Sequence, residues 1–188
     1  MAISLYDLSV PTFLQTTRAV DGILKRAVRH CAETGADPDD LVAVRLVEDM
    51  APFHFQIECL RNHSVWGLEA ARTGVFAPPP LAGAVSFAEL QAVVEDAVTA
   101  LEALTPDDVN GWSGRQWEID LFRPIDPENA STSQWAPQGL ALTPETYLLT
   151  YALPNFYFHA TTAYHILRTC GVPIGKGDFE GQLRVRPA

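Results

Sequence analysis

Asn155, His159 and Thr162 follow one another at i, i+4 and i+7, and Tyr151 extends the row by one turn. On a helix these four side chains share one face. A histidine so placed can take or give a proton near neutral pH, and an asparagine beside it can orient or polarise a carbonyl. The surrounding residues are strongly apolar, so the polar row must either reach water or be hydrogen-bonded internally. The same residues therefore also fit a satisfied core network, with His159 bonding a backbone carbonyl or a tyrosine. His165 lies well round the helix from His159 and reads as a boundary or surface residue.

An earlier segment carries a second set. Gln56 and His63 are seven apart and share a row, while His54, Glu58 and Arg61 lie on the other side. Gln56 is the residue expected to face the row of His159, with His63 one or two turns away. Asp49 reads as a cap. A Zn²⁺ or Ni²⁺ centre would need three converging His or carboxylate ligands, with an i, i+4 pair on one helix. The pair here is Asn155 and His159, and asparagine is a poor transition-metal ligand. No metal ligand is assigned and no cofactor is expected, with a divalent metal at His159 as the alternative. Cys31, Cys59 and Cys170 are far apart in sequence without a CxxC pair, which points to three reduced thiols. GxSxG and GxGxxG are absent, and the run from Ile174 to Asp178 lacks the spacing of a P-loop.

Four helical patterns must position these residues. The first runs from Val10 to Glu33, with Ser9 as N-cap, Pro11 in the first turn and Gly35 as its end. Ala36 to Asp40 then begin a short helical turn through Leu41 to Leu46. The second starts near Ala51 and Pro52 and continues to about Arg72, with Phe53, Ile57, Leu60, Ser64, Gly67 and Ala71 on one stripe. The third opens on a capping box, Ser86 to Glu89, and stops at Thr105 and Pro106. The fourth has Thr143 as N-cap, Pro144 at its first position, and Gly171 and Pro173 as its stop. Pro154 removes a backbone donor inside it and predicts a kink near Thr150 to Leu153. Residues 107–142 have no helical period but carry Trp112, Trp117 and Trp135. They predict an ordered irregular insertion or lid, with Trp117 to Phe122 as a short strand or part of a small hairpin. The residues after Gly171 read as an irregular tail.

The chain has 188 residues, 47% hydrophobic and 19% charged, and its formal net charge is −10. This predicts one globular domain over 1–188. The 13 Lys and Arg are scattered, which argues against nucleic acid and anionic membrane surfaces as partners. No run approaches the ~20 apolar residues of a membrane span, and the N-terminal residues lack a signal-peptide pattern, so a cytoplasmic location is expected.

Ser4 to Phe13, the Asp49 to Pro52 segment followed by Gln56, and above all Ala152 to Tyr164 with Leu167 to Pro173 resemble an uncharacterised helical family. It belongs to the DinB-like, YfiT-like four-helix-bundle superfamily. The resemblance implies an all-α fold, an up-down-down-up four-helix bundle with a cleft between helices. Many superfamily members hold a divalent metal there through three histidines, and some are thiol transferases or isomerases using a small thiol cofactor. This chain departs from that pattern, because only His159 of the helix-four pair is a histidine. Three functions follow. The first is a metal-independent enzyme (isomerase, dehydratase or cyclase) acting on a small apolar molecule. Its catalytic residues would be His159, Asn155 and Gln56, in a pocket lined by Phe53, His63, Tyr151, Phe156 and Thr162 together with Tyr157 and the loop tryptophans. The second is a metal-dependent hydrolase or thiol transferase. The third is a binding or dimerisation module, a homodimer through one bundle face.

Overall fold

The computed structural model describes residues 3–185. Four long helices form the bundle, and a two-stranded hairpin precedes the last of them. The first helix is Leu5–Thr34, one turn and more longer than its sequence predicts. Ser4, not Ser9, is the cap, accepting from the Asp7 N–H, while Ser9 is buried and donates to the Leu5 carbonyl. Pro11 therefore sits inside the helix, where it leaves the Asp7 carbonyl without its usual i+4 donor. Arg184 supplies one instead, at 3.1 Å. The turn expected at Leu41 to Leu46 forms earlier, as a 3-10 turn at Pro38–Leu41.

The second helix consists of Phe53–Arg61 and Gly67–Thr73 joined by a π turn at Asn62–Trp66, and it ends on Gly74 at φ 77°. The third, Phe87–Glu102, starts on the expected capping box of Ser86 and Glu89. The fourth is capped by Thr143 and runs through Pro144–Tyr147, a π turn at Leu148–Ala152 and Leu153–Thr169. Pro154 explains that π turn. Its ring would crowd the Thr150 carbonyl in a regular helix, and one wide turn just before it relieves the crowding. The two π turns meet: a Cβ on Gly67 would stand 3.4 Å from the Ala152 methyl.

Pairs along the helices give their directions. The first and third are antiparallel, with Arg18 on Glu102 and Lys25 on Glu95. The second and third are parallel, with Phe53 against Phe87 at one end and Leu68 beside Leu101 at the other. The second and fourth are antiparallel, with Gln56 on His159 and Gly67 on Ala152. The order is up-down-down-up. The core fills the centre with Phe13, Phe53, Phe87, Phe156, Leu24, Ile57, Leu90 and Leu101.

Within the 107–142 region, a short helix at Pro106–Asn110 buries Trp112, and β1 (Trp117–Pro124) pairs antiparallel with β2 (Trp135–Leu142). Ile119 and Leu121 point inward while Phe122 and Trp135 pair on the outer face, 6.2 Å apart. Trp117 packs over Gly74, which ties the hairpin to the end of the second helix. The tail is less irregular than its sequence predicts: Lys176–Glu180 is helical, and Phe179 packs edge-on to Tyr164. No helix among the described residues is long and apolar enough to cross a membrane.

Candidate functional site

His159 of the fourth helix meets Gln56, in the first turn of the second helix, and His63, in its π turn. The Gln56 Nε2 donates to the Ala51 carbonyl at 2.9 Å, and its Oε1 lies 2.8 Å from His159 Nδ1. The Ala51 carbonyl can only accept, so the amide nitrogen must face it and the amide oxygen must face the histidine. His159 therefore carries its proton on Nδ1 and donates it to Gln56, which leaves the Nε2 lone pair free. The His63 ring is nearly parallel to that of His159, with centroids 5.5 Å apart. Phe76 lies against the His63 ring at 5.4 Å, Tyr151 meets it edge-on at 5.6 Å, and Phe55 meets His159 edge-on at 5.9 Å.

This apolar enclosure decides the charge state. The two histidines are only 7% and 8% exposed. Burial pushes His63 down to about 3, with the neighbouring His159 adding to the effect, and burial alone takes His159 down to about 4. Both rings are neutral at pH 7. His63 Nδ1 and the Tyr147 hydroxyl are buried with no hydrogen-bond partner among the described residues. An unpaired buried polar atom costs about 1–3 kcal/mol, so each is a place where a bound molecule gains a partner at no further desolvation cost to the protein.

Glu58 has a different task. Its buried carboxylate accepts from the Ala82 and Gly83 N–H groups and faces His54 Nδ1 at 3.3 Å. It thereby fastens the connection between the second and third helices, the segment that lays Phe76 on His63. Sequence reasoning placed Glu58 on the far side of the helix without a role, although its i, i+4 spacing from His54 was a usable signal.

The remaining candidates divide. Asn155 is half-buried and its amide donates to the Tyr151 carbonyl at 2.7 Å, inside its own helix. Thr162 is buried and donates to the Phe158 carbonyl. Phe53 and Phe156 line no cleft. Both are fully buried, Phe53 against Phe87 and Phe156 edge-on to Phe13 at 4.9 Å, because their stripe faces the bundle centre. Tyr157 turns toward solvent, and His165 is exposed. Of the loop tryptophans, Trp112 borders a groove of about 300 Å³ between the second and third helices, with Trp66, Leu68, Arg72 and Leu104. Another hollow, about 230 Å³, lies between the hairpin and the fourth helix, and Tyr151 forms part of its wall. Tyr151 is the residue common to that wall and to the surroundings of His63.

The superfamily's metal needs three or four converging donors. Here two imidazoles meet one carboxamide, and that carboxamide oxygen is already engaged on His159. No group of three His, Cys, Asp or Glu converges among the described residues. The donor set does not fit a divalent cation. Zn²⁺ or Ni²⁺ added to chelator-treated protein is accordingly expected to leave the thermal midpoint unchanged in a calorimetric scan. A rise of several degrees at stoichiometric metal would contradict this, because binding to the native state must stabilise it.

Among solved structures, the chain is similar to a DinB family member protein from Shewanella denitrificans. The two are 27% identical, the match covers 98% of this chain and 96% of that one, and the TM-score is 0.73. No curated protein matches. The family model for the domain of unknown function DUF1993 matches residues 5–180, and the chain belongs to that family.

Proposed function

We propose that the protein is a small-molecule enzyme in which His159 moves a proton at a metal-free site, in an isomerisation, dehydration or cyclisation of a small apolar substrate. The observation that carries this reading is the Gln56–His159 hydrogen bond at 2.8 Å, which fixes one tautomer in a buried, uncharged pair. Gln56 is a positioning residue: held by the Ala51 carbonyl, it turns the basic Nε2 away from itself. A buried imidazole is a weak base while its surroundings are neutral. An enolate or alkoxide forming beside it raises its proton affinity, because opposite charges attract strongly where water is excluded. His63, with its unpaired Nδ1, supplies a second neutral imidazole to hydrogen-bond the reacting group. Asn155 acts at one remove, by holding the Tyr151 turn.

Proton transfer can be tested before the substrate is known. Small ketones, enones and lactones are incubated with the protein in D₂O, and exchange of the protons next to the carbonyl is followed by NMR. The wild type is expected to accelerate exchange for a subset of the panel, and His159→Ala to reduce the acceleration by about 10²–10⁴-fold while keeping its thermal midpoint within a few degrees. Equal rates in wild type and variant, or a variant that merely unfolds, would instead favour a core network of structural purpose.

A further inference from the structure

β1 alternates inward and outward residues, and its inward positions are Trp117, Ile119, Leu121 and Arg123. The last is a cation where the pattern calls for an apolar residue. On β2, Gln138 stands opposite Leu121, and Leu140 and Leu142 continue the inner face. The hollow of about 230 Å³ between this face and the fourth helix is therefore two-sided in its chemistry. Arg123 and Gln138, whose amide already donates to the Pro124 carbonyl at 2.9 Å, give it polar walls, and Leu121, Leu140 and Leu142 give it an apolar floor beside Tyr151. Arg123 is half-buried and forms no salt bridge among the described residues, although the chain carries a net charge of −10. Its guanidinium acts on the Tyr151 phenol, opposing the upward push of burial on that group. Tyr151 in turn meets His63 edge-on.

We infer that Arg123 holds the carboxylate of a small organic acid whose apolar body lies along Leu121, Leu140 and Leu142 toward Tyr151. This narrows the proposed substrate from a small apolar molecule to one whose apolar body carries a carboxylate, and it rests on the proton-transfer reading only for the chemistry that follows binding. A guanidinium grips a carboxylate through two parallel N–H bonds, and a partly desolvated site strengthens them. The volume falls below the ~300–1,000 Å³ of sites for drug-sized ligands, which suits a short-chain or monocyclic acid. A single cation favours a monoanion over a phosphate dianion. The competing reading is that an inward charge merely protects a two-stranded sheet from pairing with other edges.

Calorimetric titration with hexanoate, hexanol and inorganic phosphate separates these. Hexanoate is expected to bind about ten- to a hundredfold more tightly than hexanol and more tightly than phosphate. Arg123→Gln is expected to abolish that preference. If Arg123→Gln does not fold, Arg123→Lys keeps the charge without the planar fork, and a loss of roughly tenfold is expected. No binding of hexanoate, equal affinity for acid and alcohol, preference for phosphate, or an unchanged affinity in the Arg123 variant would each overturn the assignment. Arg123-dependent binding without deuterium exchange would leave this site standing and sink the proton-transfer reading alone. Exchange without such binding would do the reverse.

Discussion

Taking the protein from pH 7 to pH 4 is expected to remove on the order of 3–6 kcal/mol of folding stability through His63 and His159. In the unfolded chain both imidazoles titrate near the ordinary value of 6.5. In the folded protein burial lowers His159 to about 4 and, helped by His159, lowers His63 to about 3. The folded state thus binds fewer protons than the unfolded state throughout that interval. A depressed histidine contributes stability that is fully present above pH 6.5 and is lost as pH falls toward the folded values. Each histidine adds a slope of up to about 1.4 kcal/mol per pH unit. Below about pH 3 both states are protonated and the contribution stops changing. Urea unfolding at half-unit steps from pH 7.5 to pH 4 reads the slope directly. His63→Gln and His159→Gln should each flatten it by close to one proton, which separates the pair from the carboxylates that titrate lower. Superimposable slopes in wild type and both variants would mean that the rings are hydrated and charged in the native state.

Gly74→Ala is expected to cost more than ~3 kcal/mol, from two causes that can be measured apart. The residue sits at φ 77°, where a side chain costs roughly 1 kcal/mol. A Cβ would also stand only 1.5 Å from the Trp117 ring, so the indole must move and β1 with it. Trp117→Ala removes the obstacle. In the double variant the cost attributable to Gly74→Ala should fall to about 1 kcal/mol, a coupling of 2 kcal/mol or more. Additive effects in chemical denaturation would show that Trp117 does not rest on the helix end, and that the hairpin is anchored elsewhere.

How much of this was legible in sequence follows the range of the forces involved. The caps at Ser86 and Thr143 and the stop at Gly171 are local chemistry, and they stand where they read. The approach of Gln56 to His159 was also legible, because each lies in a polar row within an apolar helix. The start of the first helix was misplaced since two serines compete as caps. Ser4 prevails, and Arg184, 177 residues beyond Asp7, satisfies the carbonyl that Pro11 strands. The π turns had only Pro154 as a hint on one helix and nothing on the other. The two turns meet at Gly67 and Ala152, a contact that no single-helix period records. Phe53 and Phe156 read in sequence as cleft walls because an aromatic next to a polar row looks the same from either side; only the third dimension shows that their stripe faces inward. Arg123 has no sequence signal, because a lone arginine in an aromatic loop carries no pattern until the strand register is known.

The parallel course of the second and third helices imposes a limit on the chain's tolerance of insertions and deletions. After Gly74 the polypeptide must travel back beside the whole second helix, about 30 Å at 1.5 Å per residue, before Ser86 can start the next. The segment between them, stiffened by Pro78 to Pro80, reaches roughly 40 Å when extended. Part of that slack is taken up where Phe76 dips onto His63 and where Glu58 grips Ala82 and Gly83. Surface connections ordinarily drift in length among related proteins, but this one is held like a tape measure between two marks. Deleting three residues would draw it taut and lift Phe76 from the imidazole, so the length of this connection should vary little among family members that keep both histidines.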